Sequence, residues 1–185
     1  VEHIPRLLSP LTKIPATVLR WGDLTPTQWT IYQGIYERVT NFPLYFTDEL
    51  FSLEELEVVL DRWARDNSVQ LVALDYLQLM STTERFESER HRIEYMSKKI
   101  KELCQKYKIT IMCISSLSRE GKLRESGQID FDADVKILIE REPLESETCV
   151  RLLKRRNGRL GTVMFNFDWE TLTFTEQELE QTGDE

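Results

Sequence analysis

At 185 residues, 41% of them hydrophobic and with a mean hydropathy of -0.40, the chain reads as one ordinary soluble domain with a single sizeable core. No apolar run reaches the roughly 18 residues of a membrane span. The opening Val1-Glu2-His3-Ile4-Pro5-Arg6 lacks the cationic start and apolar stretch of a secretory signal, so a cytoplasmic location is expected. A formal charge of -8 argues against a surface coated for nucleic acid, although Arg151, Lys154, Arg155, Arg156 and Arg159 form a local basic strip with no acid among them.

Thr25-Pro26-Thr27-Gln28 predicts a helix start, with a capping threonine, proline at the first helical position and glutamine closing the box; the helix runs to about Val39. Leu44-Tyr45-Phe46 reads as a short strand. Ser52-Leu53-Glu54-Glu55 is a second capping box, opening a helix that buries Leu53, Leu56, Val59, Leu60 and Trp63. The unbroken run Leu71-Val72-Ala73-Leu74 predicts a parallel strand buried on both faces. From Ser88 to Tyr107, the spacing of Ile93, Met96, Ile100, Leu103 and Tyr107 predicts one long amphipathic helix. Ile109 to Ser115 is a second buried strand. After Gly127 come strands over Val135 to Glu140, Cys149 to Lys154, Thr162 to Asp168 and Leu172 to Phe174. The expected architecture is α/β, a mainly parallel sheet extended at one edge by antiparallel strands, in one domain over residues 1–175. An acidic tail follows over residues 176–185, helical or disordered.

Cys104, Cys113 and Cys149 form no CxxC pair, and the chain has only two histidines, so the cysteines read as structural and a histidine-rich metal site is not on offer. Four segments carry chemistry. In Leu71 to Met80, Asp75 follows an apolar strand and lies where open α/β sheets bind ligands. It either holds the water shell of a nucleotide's magnesium ion or caps the next turn, and the two readings are even. Ile114-Ser115-Ser116-Leu117-Ser118-Arg119 leaves the next strand; its hydroxyls suit a terminal phosphate, but equally an ordinary loop exit. Gly121-Lys122 is not a P-loop: Ser116 stands where its first glycine belongs and Leu123 where its hydroxyl residue belongs. In Arg151 to Gly158, strand alternation puts Lys154 and Arg156 on one face before an Asn157-Gly158 turn. Such a pair suits the phosphates of a neighbouring subunit's nucleotide; a solvated, charged hairpin or edge strand is the plainer alternative.

Together these segments, with Leu123-Arg124-Glu125-Ser126-Gly127 and Asp132-Ala133-Asp134-Val135, resemble the successive motifs of DnaB-type replicative helicases, in that family's order. Thr25-Pro26-Thr27-Gln28-Trp29 and Pro43-Leu44-Tyr45-Phe46-Thr47-Asp48 match its upstream pattern. The resemblance implies a RecA-like ATPase core, a ring of subunits around single-stranded DNA, and ATP with Mg2+. By position it implies that Asp75 is the magnesium-linked aspartate and Ser116 occupies the γ-phosphate-sensing position. Arg124, Glu125 and Gly127 would lie on the DNA-facing loop. Lys154 and Arg156 would be donated to the adjacent subunit's ATP.

Three departures accompany it. The family's P-loop and catalytic glutamate lie upstream of the matched motifs, and no stretch here supplies them. Ser116 replaces the usual glutamine. Only Glu120-Gly121-Lys122 separates Arg119 from Leu123, a shortened loop. Two readings follow: a helicase motor in truncated or degenerate form, not expected to hydrolyse ATP alone, or a non-catalytic relative that binds helicase subunits or its own copies. A RecA-type recombinase fits the Asp75 to Met80 wording less well.

Overall fold

The structure, a computed structural model, describes residues 3–47, 52–66, 69–115 and 127–178. They form two compact units, one from the two ends of the chain (residues 1–42 and 135–185) and one from its middle (Pro43–Asp134).

The terminal unit begins with α1 (His3–Thr12), α2 (Ala16–Trp21) and α3 (Pro26–Thr40). Hydroxyls organise the first turn of chain: Ser9 Oγ donates to the Ile14 carbonyl at 2.7 Å and Thr12 Oγ1 to the Leu8 carbonyl at 2.8 Å, while Leu8 and Ile14 are buried. α2 stops at Gly22, whose left-handed φ of 75° lets its N–H reach the Val18 carbonyl. The predicted capping box of α3 is present, Thr25 N donating to Gln28 Oε1 at 2.9 Å and Gln28 N to Thr25 Oγ1 at 3.3 Å. The rest of this unit is an antiparallel meander of β3 (Val135–Glu140), β4 (Glu147–Arg155), β5 (Gly161–Asp168) and β6 (Thr173–Glu176). Ala16 N donates to the Glu170 carbonyl at 2.9 Å, with Ser9 Oγ 3.5 Å from the same oxygen, which ties α2 and the end of α1 to the β5–β6 turn. Phe165 and Phe167 pack on Phe174, and the Arg141 guanidinium lies 4.4 Å from the Phe167 ring centre and 4.1 Å from that of Trp169.

The middle unit holds α4 (Leu53–Asp66), β1 (Leu71–Leu74), α5 (Glu89–Tyr107), β2 (Thr110–Cys113) and α6 (Gly127–Asp132). The second capping box is also present, Ser52 N donating to Glu55 Oε2 at 2.9 Å and Glu55 N to Ser52 Oγ at 3.2 Å. Ser88 caps α5, and Lys108 ends it in a left-handed conformation with φ 54°. β1 and β2 pair in parallel, Leu71 opposite Thr110 through Leu74 opposite Cys113. The core is Leu53, Leu56 and Leu60 of α4, Val72 and Leu74 of β1, and Ile93, Met96, Ile100 and Leu103 of α5, with Leu77, Met80 and Ile109. Val59 and Trp63 are only partly covered, Trp63 meeting the Tyr45 ring instead.

Four expectations need correction. β1 is buried on one face, because α4 and α5 both pack on the Val72/Leu74 side; Leu71 stays 59% exposed and Met112 of β2 50%. Among the described residues the antiparallel strands form a sheet of their own, in the order β3-β4-β5-β6, rather than an extension laddered onto β1 and β2, because short turns pair each strand with the next in the chain. Leu44-Tyr45-Phe46 is irregular backbone rather than a strand, with the Tyr45 ring against Trp63. The last strand sits later, at Thr173–Glu176, after Leu172 adopts a left-handed φ of 52°. Residues 179–185, where the tail was expected to be helical or disordered, lie outside the described residues.

The Glu54 carboxylate pins the chain leaving β1 to the first turn of α4. Its Oε1 accepts from Thr82 Oγ1 at 2.8 Å, Thr83 N at 3.1 Å and Thr83 Oγ1 at 3.1 Å. Burial pushes this carboxyl up, but the hydrogen bonds from Thr82, the backbone and Thr83 outweigh it and leave the group below the ordinary glutamate range. A depressed folded-state pKa gives stability that is present above the unfolded value of about 4.3 and is lost as pH falls through the folded one. Glu54→Gln should therefore cost about 1 kcal/mol at pH 7, and the gap to wild type should narrow steadily as pH falls below about 4.3. Thermal melts across pH check this; a gap that does not narrow on acidification would refute it.

Candidate functional site

Asp75 is the first residue after β1, exposed at the strand's carboxyl end, and its peptide bond to Tyr76 is cis. The chain around it is held on both sides. Ile114 N donates to the Leu74 carbonyl at 2.9 Å and Leu77 N to the Ile114 carbonyl at 3.0 Å, so the β2 ladder brackets Asp75 and Tyr76. Leu77 and Met80 then turn into the core through one short helical turn, Leu77–Leu79. Arg92, one turn into α5, donates to the Gln78 carbonyl at 3.1 Å and to the Met80 carbonyl, while pairing with Glu89. That hydrogen bond from Arg92 holds the Glu89 carboxyl below its ordinary range. Gln78 Nε2 donates to Ser115 Oγ at 2.7 Å, across the ends of β1 and β2.

Among the described residues, no group of three or more His, Cys, Asp or Glu side chains could hold a metal ion. A single exposed carboxylate at a strand end fits Mg2+, which keeps most of its waters and takes its other oxygens from phosphates. Burial pushes the Cys113 thiol up to about 12 and raises Cys104 as well, so neither is a thiolate at neutral pH. This agrees with a structural role.

Lys154 and Arg156 lie in the other unit. β4 is flanked by β3 and β5, so the basic strip is not on an edge strand. Lys154 stands opposite Lys136 and Arg155 opposite Val135, after an irregularity at Leu153 that lets Leu152 pair with Ile137. The expected alternation covers Lys154 but stops at Arg155; Arg156 is the first residue of the turn into β5. In that turn Gly158 leaves room for the Arg155 side chain, which a Cβ at 158 would meet at 2.5 Å. Arg151 is engaged separately, 3.3 Å from Glu140 and 3.3 Å from Cys149 Sγ.

Gly127 is the first residue of α6. The acids that follow bind this region to α5: Asp132 accepts from Ser97 Oγ at 2.9 Å, and Asp134 pairs with Lys101. Ser116, Arg124 and Glu125 lie outside the described residues, as does Gly121-Lys122. Sequence reasoning had Gln78 and Ser115 inside its motifs but not the link between them, and it missed Arg92. The available signal was a polar residue between two leucines in Leu77-Gln78-Leu79.

The family model of the DnaB-like helicase C terminal domain matches residues 1–176. The replicative DNA helicase DnaB of Mycobacterium leprae is 32% identical over 181 residues, covering 88% of this chain and 30% of that protein. The corresponding protein of Leifsonia xyli is 30% identical over 185 residues, covering 90% of this chain and 40% of its own. The chain thus spans well under half the length of these relatives. A solved structure of a DnaB-like replicative helicase, described with its interactions with primase, superposes with a TM-score of 0.85 at 24% identity, over 96% of this chain and 48% of that one. That likeness establishes the fold, an α/β arrangement of the RecA-type ATPase kind. By the match over nearly its whole length, the chain belongs to the DnaB-like helicase C-terminal domain family.

Proposed function

We propose that the chain forms the later part of a DnaB-type replicative helicase motor, contributing to DNA unwinding coupled to ATP hydrolysis but not hydrolysing ATP by itself. The observation that carries this reading is Asp75, an exposed carboxylate at the carboxyl end of β1 with the end of β2 beside it. In this role Asp75 orients the water shell of the magnesium ion on a bound ATP. That ion neutralises charge on the β- and γ-phosphates. Lys154 and Arg156 reach the nucleotide of an adjacent subunit. Ser116 addresses the γ-phosphate with a hydroxyl, and Arg124, Glu125 and Gly127 lie on the segment turned to single-stranded DNA.

These 185 residues hold no P-loop sequence, so the grip on the β- and γ-phosphates comes from outside them. The bare side of the parallel pair, with Leu71, Met112 and Ile114 exposed, is the surface that a further α/β unit covers. Mixed with the P-loop-bearing portion of a DnaB-type helicase, the chain should give DNA-stimulated ATP hydrolysis that neither part shows alone. A well-folded mixture that stays silent overturns the proposal. Ser116 and the short loop before Leu123 favour one other reading, a non-catalytic module that binds helicase subunits. On that reading the chain binds such a subunit and the mixture remains inactive.

A further inference from the structure

Gln78 makes a contact that the proposed nucleotide chemistry does not account for. It follows buried Leu77 and precedes Leu79, which is 66% exposed. Its Nε2 donates to Ser115 Oγ at 2.7 Å, while its Oε1 is sealed from solvent and has no hydrogen-bond donor among the described residues. Turning the amide over exchanges the two atoms but changes nothing in the count, because one still meets the hydroxyl and the other meets no partner among the described residues. A half-satisfied buried amide is unfavourable, and a methionine of similar volume would fill the same space without that penalty. Packing is therefore a poor reason for glutamine here. Geometry is a better one. Asp75 and Tyr76 span the gap between two rungs on Ile114, one at Leu74 and one at Leu77. The Gln78–Ser115 link adds a third tie one residue further along each strand, and Arg92 holds the Gln78 carbonyl from the other side.

We propose that Gln78 is a positioning residue: through Ser115 it locks the carboxyl ends of β1 and β2 together and so fixes the Asp75 carboxylate. This rests on the reading of Asp75 as the magnesium-linked aspartate. Groups that orient a metal-binding carboxylate act on metal affinity more than on folding. The test uses the ATPase formed by the chain and the P-loop-bearing portion, with Gln78→Met, Ser115→Ala, the double variant and Ser115→Thr. The Mg2+ concentration giving half the maximal rate should rise about tenfold in each of the first two. The double variant should be no worse than either single one, and Ser115→Thr, which keeps the hydroxyl, should restore the wild-type requirement. The melting temperature of the chain itself should not fall in Gln78→Met. An unchanged Mg2+ requirement, additive single effects, or a loss that simply follows melting temperature overturns the positioning role while the nucleotide reading stands. A wild-type mixture with no ATPase activity overturns both.

Discussion

Leu56→Ala should destabilise the unit built from Pro43–Asp134 by about 3 kcal/mol, within the range of about 2–5 for a buried leucine. Leu56 is 0% exposed, on the face of α4 that meets β1 and α5, with Leu53 and Leu60 on either side of it in the same cluster. Removing its side chain loses the transfer free energy of the missing carbons. It also leaves a cavity inside a cluster shared by α4, β1 and α5, which closes only in part because the surrounding packing relaxes only in part. Helix propensity works the other way, since alanine is the better helix former, but only by a few tenths of a kcal/mol. The cavity wins. In a unit of this size the loss should lower the melting temperature by more than about 10 °C. Val58→Ala is the control: two residues away on the same helix but 71% exposed, it should change stability by no more than about 0.5 kcal/mol. Urea unfolding of both variants decides it; equal losses would mean that α4 does not dock by this face.

Much of the helical structure was legible because its signals are local. The boxes Thr25/Gln28 and Ser52/Glu55 are each written within four residues, and both start helices as expected; the spacing of Ile93 to Tyr107 likewise marks α5. The meander was visible as well, because short turns pair each strand with the next. What failed depended on distant neighbours. An apolar run such as Leu71 to Leu74 reads the same whether one face or both are covered, and only the positions of α4 and α5 decide between them. Leu44 to Phe46 has strand composition but takes an irregular path. The candidate site divides along the same line. Asp75 could be found from the apolar strand that precedes it. The link from Gln78 to Ser115 spans 37 positions and exists only once β1 and β2 are in register. The irregularity at Leu153 is equally silent in sequence, although it resets which β4 side chains face together before Lys154.

Arg156→Ala should lower ATP hydrolysis by the assembled motor about 10³-fold or more, with little effect on how the chain folds. An arginine brought to a transferring phosphoryl group stabilises charge that develops mainly in the transition state, so the loss should fall on kcat rather than on KM for ATP. Arg156 is exposed, in the turn after β4, so its removal leaves no cavity. Lysine in its place should recover only part of the rate, because a point charge lacks the forked donors of guanidinium. Whether the residue acts across a subunit boundary can be read from mixing. Asp75→Asn subunits retain Arg156, and Arg156→Ala subunits retain Asp75. If one nucleotide site takes Asp75 from one subunit and Arg156 from the next, equal mixing rebuilds about a quarter of the sites at random assembly. Two inactive preparations should then become active on mixing. If both residues serve the site of their own subunit, every site in the mixture keeps a defect and none recovers. Mixing that yields no activity, from subunits shown to co-assemble, would place the cation pair and the carboxylate on one subunit and remove the reason for reading Lys154 and Arg156 as a contribution to a neighbour.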